Sequence, residues 1–292
     1  MELEDTYCEA FEGLVARLYV TAYDEPRVRQ AVSGATALPC TVFGESEGGV
    51  EQWLPEQEET PDGRTGALIQ IWVNYGPGAP QKLEYELAKR VRQGILVVPT
   101  TSVFNALHAG ETIDMMAKVG HCGDGYETIE HRFGREVIIV PIMMGEFVIE
   151  RRISYQRGVM GGNLWLFCTS LESALEAGER AVAAIEHVEG VIAPFGICSA
   201  GSKPETNFPE IGPTTNHWYC PTLKYHLADS QVPDGVVSIP EIVFNGLTLD
   251  SVKMAMRATI LSVQDLEGVV KISAGNYGGK LGKYRIHLRE VL

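Results

Sequence analysis

Hydrophobic and polar positions along the chain switch between a period of two and a period near 3.6, and the switches predict its elements. Residues 14–21 read Leu-Val-Ala-Arg-Leu-Tyr-Val-Thr and predict a strand. Residues 26–37 predict a helix with Asp24 as N-cap and Pro26 in the first turn, and residues 39–43 predict the return strand. A second unit follows: strand 66–74, helix 81–92 with Leu83, Leu87 and Val91 on one face, and strand 95–98. Residues 100–160 break this rhythm. They predict a short helix at 102–109 and two strands, 135–141 and 146–153, joined through Met144-Gly145 as a hairpin. The rhythm returns with strand 162–169, helix 171–187 capped by Ser170, and strand 190–194. After an irregular stretch at 195–225, the last unit is strand 239–245, helix 249–264 headed by Asp250 and Ser251, and strand 268–273.

These are four βαβ-like units in two pairs. Each pair in tandem makes a β-α-β-β-α-β sheet with its helices on one face. The expected fold class is therefore α+β: two ferredoxin-like lobes, residues 1–150 and 151–292, with an inserted hairpin region. A doubly wound nucleotide-binding sheet needs a glycine fingerprint after its first strand, and Thr21-Ala22-Tyr23-Asp24 carries none.

Composition narrows the function classes. A net charge of −14 over 292 residues argues against a nucleic-acid partner, because a phosphate backbone requires a basic face. No apolar run has the length of a membrane span, and the acidic start Met1-Glu2-Leu3-Glu4-Asp5 is unlike a signal or transit peptide, so a cytoplasmic location is expected. Cysteines 8, 40, 122, 168, 198 and 220 have no zinc or redox spacing and read as buried free thiols. The histidines have no metal spacing, and His121, Cys122 and Asp124 read as a turn before they read as an ion site. Gly44-Glu45-Ser46-Glu47-Gly48 fits a nucleophile elbow in letters, but no helix follows it, so Ser46 reads as loop.

Three features carry candidate chemistry. Glu241 interrupts an apolar strand, either on a wet edge or in an apolar pocket that raises its pKa. Residues 274–282, Ala-Gly-Asn-Tyr-Gly-Gly-Lys-Leu-Gly, either present backbone N–H groups around Asn276 to an anion or form a sharp turn needing positive φ. Lys271, Lys280, Lys283, Arg285 and Arg289 form a local basic excess, either an anion site or an ordinary charged surface, and Gly201-Ser202-Lys203 is either an anion grip or plain loop.

The segment 273–282 resembles the C-terminal signature of the formylmethanofuran:tetrahydromethanopterin formyltransferase family. Further matches run along the chain in order: Asp5-Thr6 with Glu9-Ala10-Phe11, Thr60-Pro61-Asp62-Gly63-Arg64, Gly123-Asp124-Gly125-Tyr126, Gly145-Glu146-Phe147, Gly161-Gly162-Asn163, Cys220-Pro221-Thr222, and Glu241-Ile242-Val243 with Gly246. The resemblance implies two ferredoxin-like lobes and a homodimer or homotetramer with its active site at a subunit contact. It implies no metal or prosthetic group, and small one-carbon carriers, methanofuran and tetrahydromethanopterin, as substrates. The implied reaction moves a formyl group to N5 of the pterin. Glu241 matches the glutamate proposed to shuttle the proton, and Ser202, Lys203, Asn216, Asp124, Tyr126, Asn276 and Lys280 are the implied substrate contacts. The chain departs from the family where Pro194-Phe195 runs into Gly196-Ile197-Cys198, where Thr214-Thr215-Asn216-His217 replaces a Ser-Thr-Asn-Asp, and where Pro204 follows Lys203. These departures keep a non-catalytic, scaffold-type relative in play as the alternative.

Overall fold

The chain opens with a two-residue strand, β1 (Glu2–Leu3), and a long one, β2 (Tyr7–Thr21). Asp24 ends the strand and starts a helix: its carboxylate accepts the Arg27 N–H at 3.2 Å, and Pro26 supplies a helical φ in the first turn of α1 (Glu25–Thr36). After a 3₁₀ turn at Thr41–Phe43 come β3 (Ser46–Leu54), β4 (Gly66–Asn74), α2 (Ala79–Arg90) and β5 (Ser102–Asn105). Their order across the sheet is β3-β4-β2-β5, antiparallel throughout, which is the ferredoxin-like arrangement. Alternate residues Leu14, Ala16, Leu18 and Val20 of β2 meet Val28, Ala31 and Val32 of α1 and Leu83 and Leu87 of α2 in one buried core.

The inserted region is a short strand, β6 (Glu111–Asp114), and a meander, β7 (Thr128–Arg132), β8 (Arg135–Ile142) and β9 (Gly145–Glu150), with β9 parallel to β5. The hairpin expected at 135–153 is β8–β9.

The chain then repeats the first order: β10 (Arg152–Cys168), α3 (Leu171–Ile185), β11 (Val191–Ile192), β12 (Glu241–Gly246), α4 (Leu249–Val263) and β13 (Val269–Ser273). The sheet order is again β11-β12-β10-β13, all antiparallel. β1 adds in parallel beside β13, and β14 (Tyr284–His287) pairs with residues 7–10 of β2. Both helices start with a capping box, Ser170 with Ser173 and Thr248 with Ser251. Leu164 and Leu166 of β10 and Ile242 and Phe244 of β12 pack on Ala177, Ala181, Val252 and Met256.

This computed structural model describes residues 1–55, 59–108, 110–201, 210 and 216–292. Its compact units are residues 1–12 with 158–292, and residues 13–157. Among the described residues, no helix is long and apolar enough to cross a membrane.

Four expectations in the first lobe are corrected. Residues 39–43 are not the return strand, and Ser46 is not loop: it is fully buried and opens β3. The cause is Arg90, whose guanidinium donates to the carbonyls of Ala35, Ala37 and Leu38 and to Ser46. It caps the end of α1 and draws the chain on to Ser46, whose hydroxyl donates to Glu86. Residues 95–98 are also not a strand, and 102–109 is not a helix. Instead α2 runs into a π turn, Val91–Ile95, and the strand is Ser102–Asn105. There Gly94 packs against α1, where a Cβ would lie 2.5 Å from the Ala35 nitrogen, and Thr101 Oγ1 donates to Ile95 and Val98 at 2.9 and 3.0 Å.

Candidate active site

Strands β10 and β12 are antiparallel neighbours, and Trp165 and Glu241 are direct cross-strand partners. Ile242 and Phe244 turn toward the helices, so Glu241 faces the other side of the sheet, as do Asn163 and Trp165 beside Leu164 and Leu166. All three polar side chains are buried, with Glu241 only 2% exposed. Glu241 Oε1 accepts the Trp165 Nε1–H at 2.9 Å and an Asn163 Nδ2–H at 3.1 Å. Asn163 in turn accepts the Gly275 N–H on its Oδ1 at 2.8 Å.

A chain segment crosses in front of this face. Cys198 exchanges both backbone hydrogen bonds with Glu241, each at 2.9 Å, and its thiol is hydrogen-bonded to the same carboxyl group. Burial first, then the adjacent Glu241 charge, pushes the Cys198 thiol up. Tyr219, in a 3₁₀ turn (His217–Tyr219), lays its ring against Trp165 at 4.6 Å between centroids and meets Phe167 edge-on at 6.2 Å. Burial pushes the Tyr219 phenol up, with a smaller contribution from Glu4. Between these walls lies a cavity of about 310 Å³. Glu241, Trp165, Tyr219 and Asn216 line it, together with Leu171 and Leu175 of α3. A buried carboxyl on the wall of a mostly apolar, ligand-sized space is suited to proton transfer away from bulk water.

Residues 1–142 match the family described as formylmethanofuran-tetrahydromethanopterin formyltransferase, and residues 145–291 match its proximal-lobe family. The chain belongs to this family. A formylmethanofuran–tetrahydromethanopterin formyltransferase-like protein of Methanopyrus kandleri is 60% identical over 291 residues, covering 99% of this chain and 97% of that one. The solved formylmethanofuran:tetrahydromethanopterin formyltransferase from Methanosarcina barkeri superimposes with a TM-score of 0.92 at 40% identity, covering 100% and 98%. The formyltransferase/hydrolase complex from Methylorubrum extorquens, solved with methylofuran, contains a chain with a TM-score of 0.90 at 33% identity, covering 99% and 96%.

The formyltransferase residues foreseen in the sequence distribute unevenly. Glu241 and Asn216 line the same cavity. Ser202 and Lys203 lie outside the described residues. Asp124 and Tyr126 belong to the unit of residues 13–157, in the turn after Gly120–Gly123, and Tyr126 is 80% exposed. There His121, Cys122 and Asp124 form no ligand cluster; among the described residues, no three such side chains stand close enough to hold an ion. Asn276 and Lys280 do not line the cavity.

The glycine-rich loop is organised differently from the ligand cradle that was one of its two readings. Glu9 occupies it: the N–H groups of Tyr277, Gly279, Leu281 and Gly282 all donate to its carboxylate, at 2.6–3.0 Å. Gly278 and Gly279 supply the positive φ, 68° and 77°, that aims those groups inward. Asn276 serves the loop as well, accepting from Gly278 and donating to Thr6. Part of the basic excess is likewise answered inside the chain: Lys271 pairs with Glu4, Lys283 with Glu12, and Arg289 with Asp5.

Reading the sequence missed Asn163, Trp165, Cys198 and Tyr219. Asn163 and Trp165 alternate with Leu164 and Leu166, so two polar-tipped side chains on one face of a buried strand were the available signal.

Proposed function

We propose that this chain transfers the formyl group of formylmethanofuran to N5 of tetrahydromethanopterin, with Glu241 as the acid–base group. The pterin N5 adds to the formyl carbon, and the carbonyl electrons move onto oxygen. The N5 proton passes to Glu241, which then protonates the methanofuran nitrogen as its bond to carbon breaks. The observation that carries this reading is the buried Glu241 on the wall of the cavity. Ser202, Lys203 and Asn216 are assigned to the adduct oxygen and the carriers; Asp124, Tyr126, Asn276 and Lys280 are assigned to carrier contacts reached in a homodimer or homotetramer in the cytoplasm. The low water access needed to protect the formamide from hydrolysis accords with the Trp165–Tyr219 wall.

A spectrophotometric assay with both carriers tests this. Wild type turns over, and Glu241→Gln loses roughly 10²–10⁴-fold in kcat with KM nearly unchanged. A second reading, a non-catalytic subunit of a larger one-carbon complex, draws on the Methanopyrus kandleri relative named only as formyltransferase-like and on the multi-subunit assembly of the Methylorubrum extorquens neighbour. No turnover by pure wild type selects that reading, and formate release without acceptor selects a hydrolytic role.

A further inference from the structure

Two of the groups hydrogen-bonded to Glu241, the Trp165 indole and the Asn163 amide, arrive on the same oxygen. The Trp165 indole nitrogen can only donate. The Asn163 amide has a fixed sense, because its Oδ1 is held by the Gly275 N–H at 2.8 Å, which leaves Nδ2 for Glu241. Gly275 is itself fixed, since its carbonyl accepts the Glu9 N–H at 3.2 Å. An oxygen of a carboxyl group has two in-plane lone pairs, and on Oε1 the indole and the amide take both.

We propose that Asn163 and Trp165 are positioning residues that hold Oε1 of Glu241 as a permanent acceptor and so assign the transferable proton to Oε2. A proton on Oε1 would drive the buried indole N–H off its acceptor, whereas a proton on Oε2 leaves both bonds in place. The inference rests on the reading of Glu241 as the acid–base group. In each turnover an N–H bond of the attacking amine breaks as Oε2–H forms; Oε2–H then breaks as the leaving nitrogen gains its proton, and Oε1 stays an unprotonated acceptor throughout. Among the described residues, titratable groups near this carboxyl include the Cys198 thiol and, across the Trp165 ring, the Tyr219 phenol, and Cys220 lines the same cavity.

The test compares the infrared difference spectrum between wild type and Glu241→Gln at acid pH with the same difference in a Trp165→Phe background. The Glu241 carbonyl band shifts to higher frequency when the indole donor is removed; a band that stays in place overturns the proposal. If Trp165→Phe fails to fold, indole-¹⁵N labelling of the otherwise unaltered chain gives the answer. The Trp165 Nε1–H signal keeps a hydrogen-bonded shift through the titration that Glu241→Gln abolishes. Collapse to the free-indole position on protonation places the proton on Oε1 and overturns the proposal. In turnover, Trp165→Phe lowers kcat roughly tenfold while KM holds, and an unchanged kcat counts against positioning. The spectroscopic results do not depend on turnover, so a chain without transferase activity refutes the proposed function and leaves the proton assignment to be judged separately.

Discussion

Glu9→Gln is the substitution whose cost the structure allows to be worked out in most detail. The Glu9 side chain belongs to a residue only 1% exposed. Its Oε1 accepts Tyr277 N–H at 2.7 Å and Gly279 N–H at 2.6 Å, and its Oε2 accepts Leu281 N–H at 2.8 Å and Gly282 N–H at 3.0 Å. Glutamine keeps one acceptor oxygen and sets an NH₂ group against the other pair of N–H groups. Two charge-assisted bonds at about 1.5–3 kcal/mol each are lost, partly offset by water reaching a half-exposed loop, so the expected cost is about 2–4 kcal/mol. Urea denaturation of the two proteins measures it. The pH dependence gives a sharper check. Burial raises the Glu9 carboxyl, but the N–H groups of Gly279, Gly282, Leu281 and Tyr277 outweigh that and hold it below the usual carboxylate range. A pKa depressed on folding stabilises fully above the unfolded value, about 4.3, and the contribution is lost as pH falls through the folded value. The gap between wild type and Glu9→Gln is therefore full at pH 7 and closes below about pH 4. A gap that is flat with pH, or below about 0.5 kcal/mol at pH 7, refutes the account of Glu9 as the loop's internal anion.

Three further outcomes follow from other contacts. Gly94→Ala forces a Cβ to within 2.5 Å of the Ala35 nitrogen and destabilises the 13–157 unit by about 1–3 kcal/mol in thermal or denaturant melts. Arg64→Lys breaks a fan that reaches Thr100 O at 2.6 Å, Ser102 Oγ at 2.7 Å, Thr21 Oγ1 at 3.0 Å and Asp62 Oδ2 at 2.7 Å; an ammonium cannot span all four, and the same melts show a loss of about 1–3 kcal/mol. Cys198 alkylates slowly at neutral pH because burial and the Glu241 charge disfavour its thiolate; Glu241→Gln removes the second cause and speeds labelling, as read by mass spectrometry.

The residues 60–64 that matched the family in sequence turn out to be structural in the first lobe, where the Arg64 fan ties the ends of β2, β4 and β5 together. The matches at Glu9 and at 275–282 lie at opposite ends of the chain yet form one cluster, and that cluster anchors Gly275 behind Asn163. Periodicity located most of the long elements because each buries a single face. It failed at 39–46 and 95–102, where Arg90 and the Gly34–Gly94 approach set the chain path through contacts between residues distant in sequence.

The repeated β-α-β-β-α-β order, the helix caps at Asp24 and Ser170, and the oddity of an acid at Glu241 were determined by the sequence alone, because apolar period and capping are local properties of neighbouring residues. Which charges are internal was decided only by tertiary structure. The acids of residues 4–12 and the basic residues beyond 270 look like separate surfaces in one dimension, and strand pairing brings them together. The same holds for the surroundings of Glu241: no local rule places an indole, an amide and a thiol around one carboxyl, since its partners come from β10 and from the segment at Cys198, and their hydrogen bonds act only once the strands have met.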